Sequence, residues 1–190
     1  MLRKKVAVSS DESTVSVHYV GDDNDTDQSG FDMEVISLAK PQVNEGNYLK
    51  RNDYDFEEGA FSFDLDMPTN SYEFQFNVKL GDNNFDVQNK IARLINQSDI
   101  GLLAEVRLDN HGQSALRIES KQTGLAADED AIFSIHSGTS WNEINKLGIA
   151  HVTSPASNSI FRLNGQEHSS LSNTFTINRS FEVTMHDSAE

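Results

Sequence analysis

A β-dominated α+β fold with antiparallel sheets follows from three features of the sequence. Apolar and polar residues alternate over many short stretches, one stretch switches to helical spacing, and the remaining composition is rich in Asn, Ser and Asp. Period-two alternation marks strands with one buried and one wet face, the usual state of an antiparallel sheet.

In chain order, Phe31, Met33 and Val35 keep one phase before Ile36 and Leu38 switch to the other. Either a bulge near Val35 or a strand buried on both faces produces that slip. Residues 41–59 are polar and aperiodic and read as a long loop. Phe61, Phe63, Leu65 and Met67 form one alternating row, and Tyr72, Phe74, Phe76, Val78 and Leu80 form the next.

The principal helix is predicted over 85–97. Val87, Ile91, Leu94 and Ile95 fall on one face at i, i+4, i+7 and i+8, Asn84 is the expected N-cap, and Gly101 ends the run. Ala104, Val106 and Leu108, then Leu116 and Ile118, flank the loop 109–113 as a hairpin. Ala131, Phe133 and Ile135 make another row. A short helix is expected over 141–147, with Ser140 and Glu143 at capping-box spacing and Gly148 as its left-handed terminator. Phe175, Ile177, Phe181, Val183 and Met185 share one phase. A positive φ at Arg179 is costly, so a tight turn at Asn178-Arg179 is not expected and the chain is read as running straight. These elements suggest a strand–helix–hairpin module at 68–148, with 1–67 and 149–190 pairing as a flanking β domain.

The formal charge is −15, from 30 acidic and 15 basic residues, a field that repels nucleic acid and disfavours an anionic membrane surface. There is no cysteine, which excludes disulfides, thiolate chemistry and Cys-based zinc sites. No apolar run approaches the roughly 20 residues of a membrane helix, and no apolar segment follows the basic start Met1-Leu2-Arg3-Lys4-Lys5, so no secretory signal is visible.

Asp23, Asp25, Asp27 and Glu34 occupy positions 1, 3, 5 and 12 of a calcium-loop template, but Gln28 stands where the template needs glycine and no helix flanks the loop. A solvated acidic loop is the expectation. His18, His111, His136, His151, His168 and His186 show no ligand spacing. Gly138-Thr139-Ser140 reads as helix capping rather than an anion nest, and Trp141 as packing on a sheet. The sequence therefore offers no catalytic, cofactor-binding or metal residue.

Ile95-Asn96, then Gly101 with Ala104-Glu105-Val106, then 114–120 and Ser120-Lys121-Gln122-Thr123-Gly124 form an ordered series. It resembles the flagellin hook IN motif. Downstream, Leu147-Gly148-Ile149, Phe161-Arg162-Leu163-Asn164-Gly165 and Ser172-Asn173-Thr174-Phe175 resemble the bacterial flagellar filament cap family, hook-associated protein 2. Upstream, 30–35 with Leu38-Ala39 is similar to that family's early strand, with Ser37 in place of its Gln. The terminal heptad helices of that family are not in this sequence; in a fragment they would lie outside it.

The resemblance implies a secreted, non-enzymatic structural domain of the extracellular flagellum that supports flagellin assembly at the filament tip. It also implies export through a dedicated channel without a cleaved signal. The implied partners are further copies in a homo-oligomer, flagellin and other axial proteins, with no nucleic acid, membrane or cofactor. The alternative is a secreted adhesive or sugar-binding β module, calcium-dependent through the 22–34 loop.

Overall fold

The computed structural model describes residues 7–21 and 30–187. The strands β1 (Val15–Tyr19), β2 (Met33–Ser37), β3 (Pro41–Glu45), β4 (Leu49–Lys50), β5 (Gly59–Asp66) and β6 (Ser71–Val78) precede the long helix α1 (Asn84–Ser98). Next come β7 (Leu102–Leu108), β8 (Gln113–Thr123), β9 (Ser134–His136) and the short helix α2 (Trp141–Leu147). The chain closes with β10 (Ser159–Leu163), β11 (Gln166–Ser170), β12 (Thr174–Ile177) and β13 (Phe181–Met185). The fold is β-dominated α+β with antiparallel pairing, as the alternation predicts.

The chain forms two units. One is Pro41–Ala156, and the other joins the segments 1–40 and 157–190. In the 41–156 unit, β8 carries β3 and β4 along one edge and β7 along the other, and β5 lies between β6 and β9. Val87, Ile91 and Ile95 of α1 are fully buried against a core that includes Phe63, Leu65, Leu116, Ile118, Leu147 and Ile149, with Leu94 half-buried at its margin. The helical stripe is thus core, consistent with its short length.

In the other unit, β13 lies between β1 and β12, and β10 lies between β11 and β2. Val35, Phe161 and Met185 form its core, where the Phe161 and Phe175 rings stack at 4.6 Å. Val35 pairs with Phe161 and Ser37 with Ile160, so Ile36 is the extra residue of a bulge. The phase slip in 31–38 has that cause.

Five local expectations need correction. Residues 41–59 are not one long loop: β3 and β4 both lie within them. Gln42 and Asn44 read as loop residues because they are polar, yet both are buried inside the unit with their amides satisfied. The N-cap of α1 is Asn83, whose side chain accepts from the Asp86 N–H while Asp86 accepts from the Asn83 N–H. Asn84 is buried instead, donating to the Lys50 carbonyl and to Asp55. The α2 capping box does not form: the Ser140 hydroxyl donates to the carbonyls of Ser62 and Ser137.

The chain also turns where the alternation predicts a straight run. Ile177 pairs with Phe181, and Asn178 and Arg179 both adopt positive φ, 52° and 60°. A loop of odd length leaves the alternation phase of the two strands unchanged, so the hairpin looks like one long strand in sequence. Trp141 is 65% exposed rather than packed on a sheet. The buried stripe of α2 is Glu143, Ile144 and Leu147, and Trp141 points well away from it around the helix.

Candidate functional site

The segment that carries chemistry-free but specific words is 83–124. Capped by Asn83, α1 buries Val87, Ile91 and Ile95 and directs Gln88 and Asn96 to the strands of the sheet. Gln88 is fully buried and donates to the Ser114 carbonyl at 2.9 Å, and the Ser114 hydroxyl donates back to Gln88. One turn past Ile91, Ile95 fills the core while its neighbour Asn96 reaches β7. The Asn96 amide donates to the Ala104 carbonyl and accepts from the Ala104 N–H, both at 2.8 Å. A planar amide placed this way imitates a neighbouring strand and closes the β7 edge at that point.

Between these two residues the chain must reverse within a few positions. Asp99 ends the helix in the left-handed region, and Gly101 follows at φ 81°. The pair Ile95-Asn96 and Gly101 therefore has a mechanical reading: one side chain fills the core, one clamps the strand, and glycine permits the return.

The second unit uses the same device. Asn173 accepts from the Ala39 N–H at 2.7 Å and donates to the Ala39 carbonyl at 3.1 Å. Asn164 and Gly165 make the two-residue turn between β10 and β11 with φ of 50° and 83°. Asn164 and Asn173 thus each have a backbone task. Sequence reasoning missed Gln42, whose amide accepts from Ile132 N–H at 2.8 Å and donates to the Phe133 carbonyl at 2.8 Å. No periodic signal marks a buried amide of this kind.

The surface of the 41–156 unit is charged on the outer face of the β7–β8 pair. Glu105 meets Arg107 at 2.9 Å and Arg117 at 3.8 Å, and Arg117 meets Glu119 at 2.8 Å. Such exposed pairs contribute little stability and set which surfaces associate. Among the described residues, no group of His, Asp or Glu is arranged to hold a metal ion, and every buried side-chain N or O atom has a hydrogen-bond partner. Of the calcium-loop positions, Asp23, Asp25 and Asp27 lie outside the described residues; Glu34 sits in β2 and pairs with Arg162 at 3.3 Å. Among the described residues, no helix is long and apolar enough to cross a membrane.

Among solved structures, the D2-D3 domains of the flagellar cap protein FliD from Escherichia coli match this chain with a TM-score of 0.68. That match covers 93% of this chain and 90% of theirs at 16% identity. The chain carries the fold of the flagellar cap protein's D2-D3 domains. FliD from Bdellovibrio bacteriovorus matches over 96% of this chain and 95% of its own at TM-score 0.61 and 16% identity. FliD from Pseudomonas aeruginosa matches over 94% and 80% at TM-score 0.65 and 16% identity. Against the E. coli FliD D1-D2-D3 structure the match covers 93% of this chain and 52% of that one. No protein-family model matches the chain, and no curated protein does. The adhesive or sugar-binding alternative gains nothing from these FliD matches.

Proposed function

We propose that this chain is a structural, non-enzymatic part of a flagellar filament cap, working outside the cell at the filament tip. One observation carries the reading: the FliD fold extends over 93% of the chain, and the residues of the hook IN-like series stand at its joints. The matched E. coli and Bdellovibrio proteins are named as flagellar cap proteins, and the P. aeruginosa one as FliD (HAP2).

On this reading the helix-bearing module is an insertion in the β domain made by the flanking segments. It acts by shape and interface complementarity, with no catalytic, cofactor or metal residue. Further copies of the full-length protein form a ring through head-to-tail contacts, and flagellin assembles beneath it. The −15 charge keeps nucleic acid and anionic membranes away and limits association to matched surfaces.

Deletion of the encoding gene in the source bacterium tests this. The expected result is short or absent filaments with unpolymerised flagellin in the medium, and tip labelling by antibody in the parent strain. Filaments of normal length in the deletion strain, or label along the shaft, would overturn the reading.

A further inference from the structure

The strand β6 is eight residues long and lies at the edge of its sheet, paired among the described residues only with β5. The hairpin turn fixes which of its backbone groups are used. Met67 N–H donates to the Asn70 carbonyl at 2.8 Å, so 67 and 70 are a hydrogen-bonded pair. Antiparallel ladders alternate, so Leu65 with Tyr72, Phe63 with Phe74 and Phe61 with Phe76 are hydrogen-bonded pairs as well. The N–H and C=O groups of Ser71, Glu73, Gln75 and Asn77 then point away from β5.

Two contacts agree with this assignment. On the far side of β5, the Ser62 N–H donates to Thr139 Oγ1 and the Ser62 carbonyl accepts from Ser140. On the open side of β6, the Asn77 carbonyl accepts from Lys90 Nζ at 3.0 Å. Among the described residues, the backbone groups of Ser71, Glu73 and Gln75 have no such partner.

Side chains specify what can lie there. Phe74 and Phe76 are buried on one face of β6, with Tyr72 half-buried at the rim. On the opposite face, Glu73 stands across from Asp64, which stands across from His136, and Asp66 lies 3.2 Å from the His136 ring. No Lys or Arg of β5, β6 or β9 sits on this face. A hollow there is lined by Asp64, Asp66, Ser71, Tyr72, Glu73 and His136.

We propose that the open edge of β6 over 71–75 accepts an extended cationic segment of a partner protein by strand addition. Its backbone bonds the Ser71, Glu73 and Gln75 groups. Its basic side chains face Glu73 and Asp64, and its alternate apolar side chains continue the Tyr72–Phe74 rim. A second copy pairing β6 with β6 would bring the Glu73 rows together, which like-charge repulsion opposes. The proposal stands on this edge alone and is independent of the cap reading.

The test uses the full chain and a labelled hexapeptide of alternating valine and lysine. A second peptide of equal charge has proline at the inner valine positions. Binding is read by fluorescence anisotropy, and exchange of the Ser71, Glu73 and Gln75 amides by NMR. The valine–lysine peptide is expected to bind at least about tenfold more tightly than the proline peptide and to slow exchange at those amides by a similar factor. Gln75→Pro removes an outward N–H without touching the β5 ladder, and Glu73→Lys reverses the charge; each is expected to weaken binding by about tenfold. Equal affinity for the two peptides, or unaltered exchange at 71–75, would overturn the proposal. Should Gln75→Pro fail to fold, Glu73→Lys and the exchange measurement still decide it.

Discussion

Asn96 and Ala104 are joined through both polar groups of one side-chain amide and both polar groups of one peptide unit, each bond 2.8 Å long. The clamp connects the last turn of α1 to the first half of β7, across the reversal at Gly101. The task suits an amide, whose NH2 and C=O lie in one plane on the same carbon and meet the two groups together.

Asn96→Ala is therefore expected to lower stability by about 1–3 kcal/mol, read as a lower urea midpoint. Asn96→Asp should not rescue it, because its carboxylate sets an acceptor against the Ala104 carbonyl. Midpoints unchanged in both variants would show that the clamp contributes nothing.

Gln42→Leu keeps the volume and removes the polar partner of the Ile132 N–H and the Phe133 carbonyl. Leaving buried backbone groups unmatched is expected to cost about 3 kcal/mol. Chemical denaturation of the two proteins side by side reads that difference.

Gly46→Ala and Gly81→Ala separate steric from conformational cost. A Cβ on Gly46 would lie 2.2 Å from the Leu147 carbonyl oxygen, and backbone there cannot step aside. Loss of about 3 kcal/mol or failure to fold is expected. Gly81 has φ 93° but nothing within 4 Å of the same position, so its variant should lose only about 1 kcal/mol. Thermal melts that rank the pair the other way would refute the assignment.

Ile91→Ala should cost about 2–5 kcal/mol, since the side chain is fully buried between α1 and the sheet. Leu94→Ala, half-buried at the margin, should cost clearly less. Equal losses would place the helical stripe differently from the structure.

Asp82 supplies a pH dependence. A hydrogen bond from the Lys90 ammonium, then one from the Lys79 N–H, hold its carboxyl below the ordinary value of 3.8. A depressed folded value means the contribution is complete above 3.8 and is lost as pH falls through the folded value. The stability difference between the parent protein and Asp82→Asn should accordingly be present at neutral pH and shrink in acid. A difference that grows on acidification would contradict this sign.

Much of the fold was legible because its signals are local. Val87, Ile91 and Ile95 declare a helix by spacing, and the alternating rows at 61–67 and 71–78 declare β5 and β6. Other features were hidden for physical reasons. Gln42 and Asn44 are polar yet buried, so polarity argued for a loop where the chain makes β3. Asn83 and Asn84 are both competent caps, and only the long-range bonds of Asn84 to Lys50 and Asp55 decide between them. The hairpin at 178–180 preserved phase and so left no break in the pattern. At the joints, the words Ile95-Asn96 and Asn173 could be read in sequence, while their grip on Ala104 and Ala39 could not, because distant pairing is a tertiary fact. The unpaired side of β6 was invisible for the same reason.

The clamps made by Asn96, Asn173 and Gln42 are all neutral, in a chain with a formal charge of −15. Dissolved ions screen exposed charges and leave hydrogen bonds between neutral groups nearly untouched. The joints of this molecule should consequently keep their strength from dilute water to brine, while the preferences of its surface change with the medium around it.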